Sequence, residues 1–162
     1  MNYFLEFIVS ILSSIGFGLV FSVPKKALLM AGVNGGFGWL IFKLVLNNTS
    51  SIYLATFLSS LVIASISEIQ ARIFRFPASI FIFPGVINLC PGEAIYNTMR
   101  FFITNQNQNA ISSFYKAVAI AGAIAFGVLL ASSLSTSMKN FRIRGTKRTN
   151  YLKERKWLKK FT

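Results

Sequence analysis

Histidine and aspartate are absent from the 162-residue sequence, and Cys90 is its only cysteine. The sequence therefore cannot form an intrachain disulfide, and it lacks the histidine and cysteine ligands that hold most zinc sites. Nucleophilic catalysis by Cys90 is also disfavoured, because no residue near it in the sequence would act as the base that activates a thiolate. We expect a protein that is not an enzyme and that has neither a metal site nor a cofactor.

Negative charge is scarce as well, since 4 acidic residues oppose 17 basic ones and the net charge is +13. Such a balance is typical of nucleic-acid-binding proteins. Ten of the basic residues, however, lie between Lys139 and Lys160, so the charge forms a tail and not a patch distributed over a fold. No recognised nucleic-acid-binding motif accompanies this tail, and we expect no nucleic-acid partner.

Apolar residues dominate the rest of the chain. The composition is 54% hydrophobic and 15% aromatic, and the mean hydropathy is +0.58. These values predict an all-α, polytopic membrane helix bundle. We divide the chain into a transmembrane helix-bundle domain at 1–138 and a basic cytoplasmic tail at 139–162.

The apolar runs predict about five transmembrane helices, near residues 4–23, 27–46, 52–74, 77–102 and 111–134. The first run has neither the basic start nor the cleavage site of a secretory signal, so we expect it to be retained. The positive-inside rule places the N-terminus outside and the tail in the cytoplasm of a multi-pass cell-membrane protein. This orientation leaves only three basic residues outside: Lys43, Arg100 and Lys116.

The tail carries aromatic residues among its lysines and arginines. On a helical projection, one side collects Tyr151, Trp157, Leu158 and Phe161. That pattern is typical of a helix lying on an anionic lipid surface. A solvated tail that only fixes the topology is an equally good interpretation, and the sequence leaves both open.

Three other patterns indicate packing. Gly32 and Gly36 are four residues apart, which allows two helices to approach closely. A second ridge of small residues contains Ala119, Ala123, Gly127 and Ala131. Glu68 and Arg72 are also four residues apart, and we expect them to form a structural ion pair.

Two Pro-Gly pairs, Pro84-Gly85 and Pro91-Gly92, lie within the fourth apolar run. Proline removes an amide donor and clashes with the preceding turn, so the pairs predict two breaks in this helix, about 10 Å apart. Broken backbone in a membrane is stable only where protein or water satisfies the freed groups, and discontinuous helices mark binding sites in many transporters. We interpret the stretch as the solute site; a tolerated kink is the structural alternative.

Glu93 is the most informative residue of this stretch. A carboxylate near the bilayer centre costs about 2.5–3.5 kcal/mol, whereas a helix N-terminus returns about 0.3–1 kcal/mol, at best about 2. Glu93 must therefore be protonated, paired with a cation or in contact with water, and it is our candidate for proton coupling. The predicted substrate-binding residues are Pro84, Gly85, Asn88, Pro91, Gly92, Glu93, Tyr96 and Asn97.

Three segments together resemble the threonine/serine exporter family: Gly16–Leu28 with its Val-Pro-Lys-Lys-Ala turn, Ala55-Thr56-Phe57, and the double Pro-Gly stretch that ends at Tyr96. The resemblance covers residues 10–135 and omits the tail. It implies the short subunit of a split, two-protein exporter, with a larger membrane subunit of the same family as its partner. It also implies export of threonine or serine, or of a dicarboxylate such as succinate.

This chain departs from the family pattern at two positions. Asn88 stands where the family usually has proline, and Glu93 stands where it has a small residue. A carboxylate at the helix N-terminus would compete with an anionic solute for the positive end of the dipole. We therefore favour export of a threonine-like or serine-like amino acid whose ammonium group meets Glu93, or proton coupling through Glu93.

Two alternatives stay open at this point. The first is a subunit of a dicarboxylate exporter, and the second is a non-transporting scaffold or channel-like subunit. A bundle of 162 residues is too small to enclose an alternating-access cavity, so we expect assembly with the larger subunit, with a second copy, or with both.

Overall fold

A computed structural model describes the backbone of residues 3–158 and the side chains of residues 3–137. The described backbone is 89% helical and contains no strand. Its elements are α1 (Tyr3–Val20), α2 (Lys25–Thr49), α3 (Ile52–Phe74), α4 (Ser79–Val86), a 3₁₀ turn (Ile87–Leu89), α5 (Gly92–Ile103) and α6 (Asn107–Leu158).

Short turns connect the first three helices. Ser50 ends α2 in the left-handed conformation, with φ 55°, and its amide donates to the carbonyl of Leu46. Arg75 ends α3 in the same way, with its amide donating to the carbonyl of Ala71. Such tight connections make consecutive helices antiparallel neighbours, and α2 packs against both α1 and α3.

The apolar helices are long enough to cross a bilayer. Four of them, including the Asn107–Ser137 part of α6, meet the length and hydropathy of a membrane span. The segments Ser79–Leu89 and Gly92–Ile103 meet it together as a pair bent by 52°, so the described residues form up to five spans. The predicted all-α polytopic membrane bundle is thereby confirmed.

Small residues let these helices pack closely. A Cβ atom on Gly36 would lie 2.6 Å from Ile11 on α1, and one on Gly32 would meet Ile15 of the same helix. Gly127 contacts α3, where its absent Cβ would lie 2.8 Å from the carbonyl oxygen of Phe57. The glycine spacing thus marks packing faces, as the sequence indicated.

The two halves of the bent pair have different surroundings. Helix α4 packs against α2, α3 and α1, and its Phe81 and Pro84 are fully buried. The principal partner of α5 is α6, and much of the apolar surface of α5 is exposed, for example 67% of Tyr96. The first half is therefore enclosed by the bundle, whereas the second half packs mainly on α6 and leaves much of its apolar surface exposed.

The chain is broken once in this region, not twice as predicted from the two Pro-Gly pairs. Pro84 lies inside α4 without ending it, because its missing amide removes a single intrahelical bond, to the carbonyl of Ile80. The break comes at Cys90, whose ψ of 134° is extended. Cys90 precedes Pro91, and the proline ring disfavours the helical conformation in the residue before it.

The predicted ion pair between Glu68 and Arg72 needs correction. Within the residues whose side chains are described, these two groups make no direct ion pair. Ser135 of α6 lies between them instead: its hydroxyl donates to Glu68 at 2.8 Å and accepts from Arg72 at 2.6 Å. A serine on a neighbouring helix thus converts a contact within α3 into a link between α3 and α6.

The basic segment continues helix α6, whose backbone extends to Leu158. The domain boundary at 138/139 stays a prediction, because the helix passes through it. Tyr151, Trp157 and the rest of the amphipathic pattern lie outside the residues whose side chains are described, so membrane binding by the tail also stays a prediction.

Gly127 should be intolerant of even the smallest side chain. We expect Gly127→Ala to lower the free energy of unfolding by about 1–3 kcal/mol, because the added methyl group must displace the backbone of α3. The measurement is unfolding of the purified protein in detergent by SDS titration. Gly122→Ala is the matched control on α6, where a Cβ would meet nothing within 4 Å and alanine favours the helix; equal destabilisation of both variants would contradict the packing argument.

Candidate functional site

Asn88 fixes the broken segment to the first helix. Its Nδ2 donates to the carbonyl of Ser10 at 3.1 Å, to the hydroxyl of Ser10 at 2.7 Å and to the hydroxyl of Ser14 at 2.8 Å. Ser14 is fully buried and Ser10 nearly so. Hydrogen bonds to such buried groups are stronger than hydrogen bonds in water, so they set the position of the 3₁₀ turn.

A second buried amide joins α2 to α3. Asn34 has no exposed surface, and its Nδ2 donates to the hydroxyl of Ser67 at 2.7 Å and to the carbonyl of Ile63 at 3.2 Å. Ser59 adds a further bond from α3 to the carbonyl of Gly38. Polar side chains therefore tie together the helices that surround α4, as expected where lipid offers no hydrophobic driving force.

A cavity of ≈ 320 Å³ opens at the break. Its wall is formed by α2, α3, the break itself, the first turn of α5, and α6. That volume lies at the lower end of the range of about 300–1,000 Å³ that is usual for small-molecule sites. The polar or charged lining residues are Trp39, Lys43, Thr56, Asn88, Cys90, Glu93 and Lys116.

Both signs of charge are present in this cavity. The carboxylate of Glu93 comes from the first turn of α5, and the ammonium groups of Lys43 and Lys116 come from α2 and α6. The amides at the start of α5 add the positive end of a helix dipole, since the first amides of a helix have no partner within it. The arrangement offers donors and an acceptor to a small polar solute.

The structure brings together four of the eight predicted site residues, because Asn88, Pro91, Gly92 and Glu93 all line the cavity. The other four lie elsewhere. Pro84 and Gly85 are buried in the packing of α4. Tyr96 and Asn97 do not contribute to the lining, and Tyr96 is largely exposed on α5. A role for these eight residues in binding stays a prediction.

A cluster of three side chains beside the break was not predicted from the sequence. The Nζ of Lys43 lies 3.2 Å from the Oε2 of Glu6, and the same oxygen accepts from the Nε1 of Trp39 at 3.1 Å. The Lys43 ammonium also lies over the Trp39 ring, 5.6 Å from its centroid, which is within cation–π range. Glu6 thus has two partners on α2.

A signal for part of the missed set was present in the sequence. Lys43 and Lys116 are single charges inside predicted apolar spans, and an ionisable residue in a span is a functional candidate by default. Both lysines entered the prediction only as basic residues on the outer side. The pairing of Lys43 with Glu6 had no such signal, because 37 positions separate them.

A larger cavity of ≈ 470 Å³ lies on the other side of Trp39 and Asn88. Both side chains line it together with residues of α1, including Glu6, Ser10 and Phe17. Trp39 and Asn88 therefore form a wall shared by two cavities. The larger one is mainly apolar and has one charged lining residue, Glu6, whereas the smaller one has three: Lys43, Glu93 and Lys116.

Comparison with known protein families shows which family this chain belongs to. A family model described as threonine/serine exporter, ThrE, matches residues 6–134. The chain belongs to the threonine/serine exporter family. The match contains the break, the whole smaller cavity and the charged cluster, and it confirms the resemblance seen in the sequence.

Membership in the threonine/serine exporter family makes the chain a membrane-embedded protein of exporter type, and the family is one of transporters, not of enzymes. Comparison with curated proteins and with solved structures gave no match. The roles of individual residues in this exporter-family chain therefore rest on its own geometry.

Asn88 should be needed for a stably folded exporter subunit. We expect Asn88→Ala to lower the free energy of unfolding by about 1–3 kcal/mol, because the variant leaves buried acceptors on Ser10 and Ser14 without a donor. SDS or thermal unfolding in detergent measures this change. The control is Asn47→Ala, which removes a single exposed bond, of 2.8 Å, to the hydroxyl of Tyr3; a loss as large as that of Asn88→Ala would refute the anchoring role.

Proposed function

We propose that this chain is a subunit of a secondary transporter that exports a threonine-like or serine-like amino acid, and that the solute binds in the ≈ 320 Å³ cavity at the break. One observation carries the proposal: a carboxylate from α5 and ammonium groups from α2 and α6 line the same small cavity. An amino acid is a zwitterion, so its two charged groups need one partner of each sign.

Each part of the solute has a chemically suitable partner. The ammonium group of the amino acid pairs with Glu93, and its carboxylate pairs with Lys116 and the first amides of α5. Thr56 also lines the cavity. Its hydroxyl donates to the carbonyl of Ile52 at 2.7 Å, so its lone pairs are available to accept from a solute hydroxyl.

The two alternatives make different demands on the same residues. A dicarboxylate such as succinate would use both Lys43 and Lys116, and the carboxylate of Glu93 would oppose it. A scaffold or channel-like subunit would not need the charges of the cavity at all. The presence of Glu93 among the lining residues favours the amino acid.

The single chain leaves the cavity partly uncovered. Cys90, Gly92, Glu93 and Lys116 are exposed at the rim. Charged groups at membrane depth face water or protein, not lipid. We propose that the larger membrane subunit of the same family, a second copy of this chain, or both cover this side, with the N-terminus outside and the basic tail in the cytoplasm, where it contacts anionic lipid.

The two opposite charges of the cavity should both be needed for binding. We expect Glu93→Gln and Lys116→Gln each to weaken binding of labelled serine and threonine by about tenfold or more, because each variant leaves one charged group of the solute without its partner. Binding of radiolabelled solute to the purified chain, alone and with its partner subunit, measures this effect.

Lys26→Gln is the matched control, since Lys26 is an exposed lysine at the opposite end of α2 from Lys43. It should bind the solute as the unaltered chain does. Unchanged binding and export in all three variants, at equal membrane abundance, would rule out this cavity as the solute site and favour the scaffold.

Proton coupling through Glu93 has its own test. In proteoliposomes containing the exporter, an imposed pH gradient should drive accumulation of the amino acid if Glu93 carries the coupled proton. Glu93→Gln should remove the response to the gradient, whereas Lys116→Gln, assayed at saturating solute, should keep it. A gradient response that survives in Glu93→Gln would assign coupling to another group.

A further inference from the structure

The charged cluster of Glu6, Trp39 and Lys43 lies at the boundary between the two cavities. Lys43 lines the smaller cavity and Glu6 lines the larger one, while Trp39 lines both. The Glu6 carboxylate is therefore held outside the proposed solute site, yet it is ion-paired to a lysine within it. Both side chains are mostly shielded, with 21% of Lys43 and 20% of Glu6 exposed.

A count of charges shows what this arrangement does to the smaller cavity. Its lining contains two ammonium groups, Lys43 and Lys116, and one carboxylate, Glu93. Alone, these groups would give a net charge of +1. Glu6, which does not line the smaller cavity, neutralises Lys43 through their ion pair. The two lysines and two glutamates together then have a net charge of zero.

We infer that Glu6 is a specificity-determining residue that acts through Lys43. Because Glu6 is ion-paired to Lys43, the net charge around the cavity is zero, which suits a net-neutral zwitterion. The same ion pair makes Lys43 unavailable as the second cation that a dicarboxylate needs. This inference rests on the proposed solute site. It assigns the choice between amino acid and dicarboxylate to a residue of α1 that does not line the smaller cavity.

The geometry suits a neutralising role. The Oε2 of Glu6 is bound by Lys43 and by the Nε1 of Trp39, so two donors on α2 fix its position. Charges that are shielded from water interact several times more strongly than exposed ones. Removal of the Glu6 charge should therefore change the potential in the smaller cavity with little change in its shape.

Glu6→Gln removes that charge and the ion pair with Lys43, and it keeps the contact with Trp39. The amide oxygen of glutamine can still accept from the Nε1 of Trp39, and the two side chains have nearly the same volume. Lys43 then becomes available to a solute carboxylate. Glu6→Asp keeps the charge with a shorter side chain and should behave as a partial or full rescue.

The experiment compares serine with succinate on the purified chain and on its complex with the partner subunit. Binding of labelled serine is measured by scintillation proximity, and succinate is added as the competitor at fixed ionic strength. The chain has two tryptophans, so in a Trp157→Phe background the emission of Trp39 reports directly on the cluster. We expect the serine-to-succinate affinity ratio to fall about tenfold or more in Glu6→Gln.

Two control variants separate charge from structure. Glu68→Gln makes the same chemical change at a glutamate that contacts Ser135 on α6, and it should leave the ratio unchanged. The double variant Glu6→Gln/Lys43→Gln removes both members of the pair and should return the ratio toward that of the unaltered chain. A structural role for Glu6 would lower both affinities together and would not be reversed by the second substitution.

The outcomes distinguish this inference from the proposed function. Serine binding that depends on Glu93 and Lys116, with an unchanged ratio in Glu6→Gln, would overturn the role of Glu6 alone. Absence of serine binding to the unaltered chain and to its complex would overturn both. A ratio that shifts in Glu6→Gln, recovers in Glu6→Asp and is restored by the double variant would establish the assignment.

Discussion

The amide of Asn88 is the interaction on which the rest of the site depends. After Leu89 the chain leaves the helical conformation, and the extended backbone of Cys90 interrupts the helix before α5 begins. The three bonds from Asn88 to Ser10 and Ser14 tie the end of the first half to α1. Because Asn88 also lines both cavities, the same bonds that hold the break determine the shape of the space beside it.

Charges around the break cost free energy in a membrane, and this cost favours the proposed role in binding over a role in stability. A charged side chain at the bilayer centre costs about 2.5–3.5 kcal/mol, and a helix dipole returns about 2 kcal/mol at most. Glu6 and Lys43 offset part of their cost by pairing with each other. Glu93 and Lys116 are both exposed, so their cost is reduced by water or by a solute.

The sequence predicted the features that depend on neighbouring residues. Apolar runs located the spans, and the residue preceding Pro91 explains where the helix ends. Only part of the cavity lining could be predicted from the sequence. Asn88 and Glu93 are close in sequence, whereas Lys43 and Lys116 line the cavity from other helices. The same limit applies to Glu68 and Arg72, because a spacing of four cannot reveal that Ser135 lies between them.

The surroundings of the bent pair explain why a subunit would need a partner. Helix α4 is enclosed by three other helices, whereas the main contact of α5 is α6 alone, so one wall of the cavity is supported mainly by a single helix. A solute site that must open to each side in turn requires one wall that stays fixed and one that moves. In the proposed solute site, the fixed wall would be α1 to α4, which are tied together through Asn88 and Asn34. The wall at α5 has fewer contacts within the chain, and a second subunit packed on its exposed face could therefore move it.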